Sequence, residues 1–213
     1  MLGKTHFAVG MASALAILQP QTLPVLITGT AAAAVGGMIS DIDCGTSQAH
    51  QGADKIMTAT IAVTSIVIFI DYRFRLGVYK SLMQNSSVSR LLTGLMAFLM
   101  ICAYGSRQPH RSFMHSFPAM IMLTACMDVI YPDAAPYFGV GFLSHLLLDI
   151  FNFRQEKLLF ANEKKGFCLR LCSSQGAVNR LLLIVGNVST VFLVITSVPI
   201  RRFASLILAF LFP

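Results

Sequence analysis

The sequence predicts an all-α fold, a polytopic membrane helix bundle of about six to eight short helices, and three observations lead to it. Hydrophobic residues make up 55% of the 213-residue chain, above the roughly 45–50% usual for soluble proteins. Charged residues make up only 12%, too few to cover a globule of this size in water. The apolar residues gather in repeated runs, at about 6–18, 24–39, 56–70, 90–104, 113–130, 137–151 and 181–198, with a shorter tail at 203–213. Several fall short of the ~20 residues a full span prefers, so tilted neighbours in a thinned bilayer, or helices that dip in without crossing, are expected. The chain reads as a single membrane-embedded domain over residues 1–213.

The first run has only Lys4 before it and resembles a signal peptide. Gln19-Pro20-Gln21 stands where small cleavage-site residues would be required, so the run is expected to be retained. Small residues crowd the second run, from Gly29 through Ala31, Ala32, Ala33 and Ala34 to Gly36 and Gly37. Such a surface lets helix backbones approach closely where lipid supplies no hydrophobic drive, which predicts a central helix. The runs at 56–70 and 181–198 carry only scattered Thr, Ser and Asn187. Between the last two long runs lies a polar segment at about 152–180, with Arg154, Lys157, Lys164, Lys165, Arg170 and Arg180. The positive-inside rule puts this segment in the cytoplasm. Alternating spans then bring the N-terminus and the loops at 40–55 and 105–112 to the same side, which holds ten basic residues against six opposite.

The net charge of +7 is accounted for by loops beside an anionic leaflet. Nucleic acid is not an expected partner, because no basic stripe is interleaved with aromatics and Trp is absent. The five cysteines, Cys44, Cys102, Cys126, Cys168 and Cys172, are odd in number and two lie in apolar runs, which argues for thiols and against a disulfide framework.

The informative residues are the rare polar ones. Seven of the fourteen His, Asp and Glu residues sit in four clusters beside or inside apolar runs. The clusters are Thr5-His6, Ser40-Asp41-Ile42-Asp43, His110-Arg111-Ser112-Phe113-Met114-His115-Ser116 and Ser144-His145 with Asp149. Ionisable groups in such places are expensive in hydrocarbon and are expected to pair or to bind something. The alternating topology sends all four clusters to one face. His145 and Asp149 are four apart, about 40° around a helix, so both project from one side. Asp41 and Asp43 could bridge cations from a turn, although Asp-x-Asp is often only a solvated cap. His110 and His115 are about 140° apart on a regular helix, so joint ligation needs a break or two different metals, and Pro109 supplies a reason for a break. His6 alone would be only a polar residue near an interface. Together, four clusters of ligand types on one face predict a metal site built from His6, Asp41, Asp43, His110, His115, His145 and Asp149. His50, in the polar loop, is expected to lie outside the set.

In this order, Thr5-His6, Ser40-Asp41-Ile42-Asp43, His110-Arg111-Ser112-x-x-His115-Ser116 and Gly141-x-x-Ser144-His145-x-Leu147-Leu148-Asp149 resemble the YdjM-like family. That family comprises bacterial inner-membrane proteins described as LexA-regulated, membrane-bound, metal-dependent hydrolases. The ligand pattern is also similar, more loosely, to that of the all-helical zinc phospholipase C and P1-type nuclease enzymes. The resemblance implies multi-pass residence in the inner membrane, a cluster of two or three zinc ions, with Mn or Mg as other divalent candidates, and phosphoester chemistry. The chain departs from the family pattern in two places: Asn152 stands where Thr often follows the last Asp, and neutral Asn179 where an acid is usual.

On this reading Asp41 or Asp43 bridges metals, His6, His110, His115 and His145 complete their shells, Asp149 ligates or orients His145, and Arg111 grips phosphate bidentately, or else neutralises the carboxylates or contacts lipid head groups. The expected activity is hydrolysis, by metal-activated water, of a phosphoester in a lipid or lipid-linked substrate at the cytoplasmic head-group level. Two other classes share these residue types. A metal transporter would need polar groups through the bilayer depth. A non-catalytic protein would use the metal only to tie helix ends together.

Overall fold

A computed structural model of the chain describes residues 2–44, 69, 73, 86–153, 155–160, 166–173 and 176–211. The expected run at 56–70, except Phe69, and His50 lie outside the described residues. Among the described residues the protein is all-helical apart from connecting segments and two isolated β-bridges.

Helix α1 runs Gly3–Leu18 and stops where Gln19 turns left-handed (φ 43°) ahead of Pro20. Helix α2, Leu23–Ile39, is started by Thr22, whose hydroxyl accepts from the Val25 N–H, and ends in a 3-10 turn at Ser40–Asp43. Helix α3 is Ser86–Gly105. A 3-10 turn at Phe113–His115 precedes α4, Phe117–Ile130, which is capped by the Ser116 hydroxyl accepting from Ala119 N–H. Helix α5 follows at Ala135–Ile150 after the turn Pro132–Ala134. Helices α6, Ala177–Thr196, and α7, Val198–Leu211, complete the described chain. The apolar runs therefore located these helices to within about five residues at each end. The run expected from residue 113 is an exception, because its first turn is 3-10 and the helix proper waits for the Ser116 cap.

The centre of the bundle is the contact of α2 with α5; α1 packs on both and also on α6, while α3 lies on α4. The small-residue stripe of α2 makes the close approach possible. A Cβ on Gly36 would collide with the Phe138 carbonyl, and one on Gly141 with the Ala33 carbonyl. Phe138, Phe142 and Leu146 of α5 fill the space beside Ala32 and Ala33 and are fully buried. Away from this core the helices turn large apolar side chains outward, with Val188, Phe192 and Ile195 of α6 each more than half exposed. Among the described residues, Leu23–Asp43, Ser87–Gly105 and Ala177–Thr196 are long and apolar enough to cross a membrane.

Short turns join α1 to α2 and α4 to α5, so within each pair the start of one helix meets the end of the next. That geometry brings Thr5-His6 to Ser40–Asp43, and the turn before α4 to the end of α5. Residues 151–153, 155–160 and 166–173 fold back over the same end. Leu169 N–H bonds the Ile150 carbonyl (2.7 Å), Phe117 N–H bonds the Leu158 carbonyl (2.9 Å), and Lys157 N–H bonds the Arg111 carbonyl (3.2 Å).

Candidate metal centre

The seven predicted ligands meet at this end of the bundle. His6, His115 and His145 are completely buried, Asp149 and Asp43 nearly so. The His145 Nδ1 lies 2.8 Å from the Gly37 carbonyl, to which it donates its proton, so Nε2 carries the free lone pair. That Nε2 lies 3.4 Å from His115 Nε2. Asp41 Oδ1 closes a triangle with them, 3.6 Å from His115 Nε2 and 3.7 Å from His145 Nε2.

The remaining donors frame this triangle. His6 stacks on His145 with ring centroids 3.8 Å apart and puts Nε2 3.0 Å from Asp149 Oδ1. His115 Nδ1 is 3.3 Å from Asp43 Oδ2, and His110 Nδ1 is 2.7 Å from Asp43 Oδ1. The spacing of His110 and His115 called for a break or for two different metals, and the chain does break, at Arg111, which adopts a left-handed backbone (φ 66°). Its N–H reaches Asp43 Oδ2 at 3.0 Å, and the two imidazoles come together edge to face at 5.1 Å. His145 and Asp149 share the buried side of α5, as their spacing required. His6, unremarkable in isolation, is in the middle of the cluster.

Three groups of donors could each hold a metal ion: His6, Asp41 and His145; Asp43, His110 and His115; and His115, His145 and Asp149. The first two share no residue, and the third takes one imidazole from each. The cluster is open on one side, where the His110 side chain is 31% exposed and that of Asp41 18%.

Arg111 links the carboxylates. Its Nη2 lies 2.7 Å from Asp149 Oδ2 and its Nη1 3.5 Å from Glu156 Oε1. Glu156 was not among the residues that the sequence singled out. It is fully buried, and burial, together with the negative Asp149 nearby, pushes its carboxyl up to about 8 against the opposing pull of His115 and Arg111. No sequence signal marked it, since a lone acid beside Lys157 in a basic loop reads as solvated surface. Asn179, one of the departures from the family pattern, is also buried, and it has a structural task. Its Oδ1 accepts from Leu2 N–H (3.2 Å) and its carbonyl from the Thr5 hydroxyl (3.5 Å), which ties α6 to the turn that carries His6.

Neither the curated proteins nor the solved structures contain a match to this chain. A family model does match it, that of the YdjM inner membrane protein, over residues 1–212. A match over nearly the whole length, with the ordered His and Asp motifs gathered at one end of an apolar bundle, shows that the chain belongs to the YdjM inner membrane protein family.

Proposed function

We propose that this protein is a membrane-bound, metal-dependent hydrolase, a phosphoesterase that acts on a lipid or lipid-linked phosphoester at the cytoplasmic head-group level. The triangle of His115 Nε2, His145 Nε2 and Asp41 Oδ1, with edges of 3.4, 3.6 and 3.7 Å, carries the reading. Neighbouring ligands of a tetrahedral zinc ion, with bonds of about 2.0–2.1 Å, lie about 3.4 Å apart. Two buried imidazole nitrogens at this distance share either a proton or a metal ion, and the Asp41 oxygen beside them adds the anionic donor that suits a metal ion. Imidazoles mixed with carboxylates suit zinc better than magnesium, which prefers an all-oxygen shell. Two donor groups with no residue in common suit a pair of ions.

Divalent cations at such a site supply Lewis acidity, which activates water and offsets the charge that develops on phosphoryl oxygens. The protein's own part is to hold the donors ready. The Gly37 carbonyl keeps His145 in one tautomer and orientation, and Asp43 does the same for His110 and His115. Arg111 spends both arms on Asp149 and Glu156, which makes neutralising the carboxylates its first role, and it would meet a substrate phosphate only by releasing one of them. An open edge favours catalysis over a purely structural metal, which protein ligands would enclose. Among the described residues the donor groups gather at one end of the bundle, which speaks against a transport path, since that needs polar groups across the bilayer.

Elemental analysis of the purified protein beside a His145→Ala variant, followed by hydrolysis assays on phospholipids and polyprenyl phosphates, tests the proposal. The wild type is expected to carry zinc and to release phosphate or a head group from one of these substrates. The variant should lose metal affinity by more than the roughly 10–100-fold typical of a supporting residue, and all turnover with it. Full metal content and activity in the variant would refute the assignment, and metal without turnover on any substrate would mean a structural site.

A further inference from the structure

Residues 155–160 and 166–173 are stitched to the site at places that leave position 156 little freedom. Glu156 and Phe167 exchange backbone hydrogen bonds, N–H to carbonyl at 3.0 Å and carbonyl to N–H at 2.9 Å. Directly after Glu156, Lys157 and Leu158 are bonded to the backbone of Arg111 and Phe117, on the two sides of His115 in the chain. The loop therefore delivers the Glu156 carboxylate to a set place beside Arg111 and buries it completely. Oε1 faces Arg111 Nη1 at 3.5 Å, and among the described residues Oε2 meets no hydrogen-bond donor.

That is a poor arrangement if the purpose is stability. A buried carboxylate repays its desolvation only with close geometry and full hydrogen bonding, and an apolar side chain of similar volume often does as well or better. The contact matters more when followed outward from Glu156. Arg111 Nη1 is held by Glu156, Arg111 Nη2 by Asp149 Oδ2 at 2.7 Å, and the other Asp149 oxygen faces His6 Nε2 at 3.0 Å. A guanidinium is planar and rigid, so fixing one arm fixes the direction of the other. Glu156 thus holds one arm of Arg111, shares a hydrogen bond with Asp149, and helps to orient a carboxylate in contact with the donor cluster.

We propose that Glu156 is a positioning residue of the metal centre, acting through Arg111 to aim the Asp149 carboxylate at the bound cation. This rests on the metal reading given above but not on any particular substrate. Such supporting carboxylates typically contribute about 10–100-fold to metal affinity.

The test measures zinc affinity, with zinc alone as the probe, together with the melting temperature of the metal-free protein. It uses the full chain in detergent and the variants Glu156→Gln, Arg111→Lys and the double variant. Glu156→Gln is expected to weaken zinc binding by about 10–100-fold without lowering the metal-free melting temperature. In the Arg111→Lys background the same change should add little, because the path through the guanidinium is already broken. Unchanged affinity in Glu156→Gln overturns the inference. So does a loss matched by a lower metal-free melting temperature, which is the signature of a merely structural role, and so do effects that add fully in the double variant. A wild type that takes up no zinc removes the metal reading itself, whereas a wild type that binds and a Glu156→Gln that binds equally well removes this inference alone.

Discussion

His115 Nε2 and His145 Nε2 face each other 3.4 Å apart in a completely buried site, although one imidazole comes from the turn before α4 and the other from the last turns of α5. His145 donates its Nδ1–H to the Gly37 carbonyl, so its Nε2 lone pair points at the other ring. The pair is thus prepared for a shared cation, and without a metal a proton on His115, favoured by the neighbouring Asp41 and Asp43 carboxylates, takes that place.

Metal should therefore stabilise the fold. At a free zinc concentration a hundred times Kd, binding contributes about 2.7 kcal/mol, which for a chain of this size is a rise of about 5–10 °C in melting temperature. Thermal melts of the detergent-solubilised protein with zinc and with excess chelator check this. No shift would mean that the unfolded chain holds the ion as well as the folded one does, or that neither holds it.

Helix α5 approaches α2 so closely at Gly141 that a methyl group there would strike the Ala33 carbonyl. Gly141→Ala is expected to destabilise the bundle by about 1–3 kcal/mol, the range for overpacking. Because α2 carries Asp41 and Asp43 and α5 carries His145, zinc affinity should fall as well. Melting curves and zinc titration measure the two effects separately; wild-type behaviour in both would show that the interface gives way easily.

Asn179 should behave differently. Replacing it with Ala leaves Leu2 N–H without its acceptor and costs about 1–3 kcal/mol in stability. The zinc content at saturation should stay at the wild-type level, since Asn179 touches the turn before His6 and not the donors. A variant that folds stably but no longer fills with zinc would move Asn179 into the site.

The cytoplasmic position proposed for the site can be read from Cys168, a partly exposed thiol in the basic segment. In intact spheroplasts of a strain whose other cysteines are changed to Ser, a membrane-impermeant maleimide should leave Cys168 unlabelled and react after permeabilisation. Labelling before permeabilisation would reverse the orientation.

Much of this protein was legible before any coordinates. Long apolar stretches with few charges dictate helices in lipid, because backbone groups there must be satisfied internally. The glycines and alanines of α2 marked it as the central helix, which the closeness of Gly36 to Phe138 and of Gly141 to Ala33 explains. The four-residue interval between His145 and Asp149 already put both on one side of α5. These features are local, carried by composition and by the period of a helix. Only the tertiary structure decided which distant donors meet: that His6 stacks on His145, that the break at Arg111 turns both His110 and His115 onto Asp43, and that a loop of basic character buries Glu156 behind Arg111. Distances of a few ångströms between segments a hundred residues apart depend on how closely helices pack and how a connecting loop folds back, and no periodicity in the chain records either.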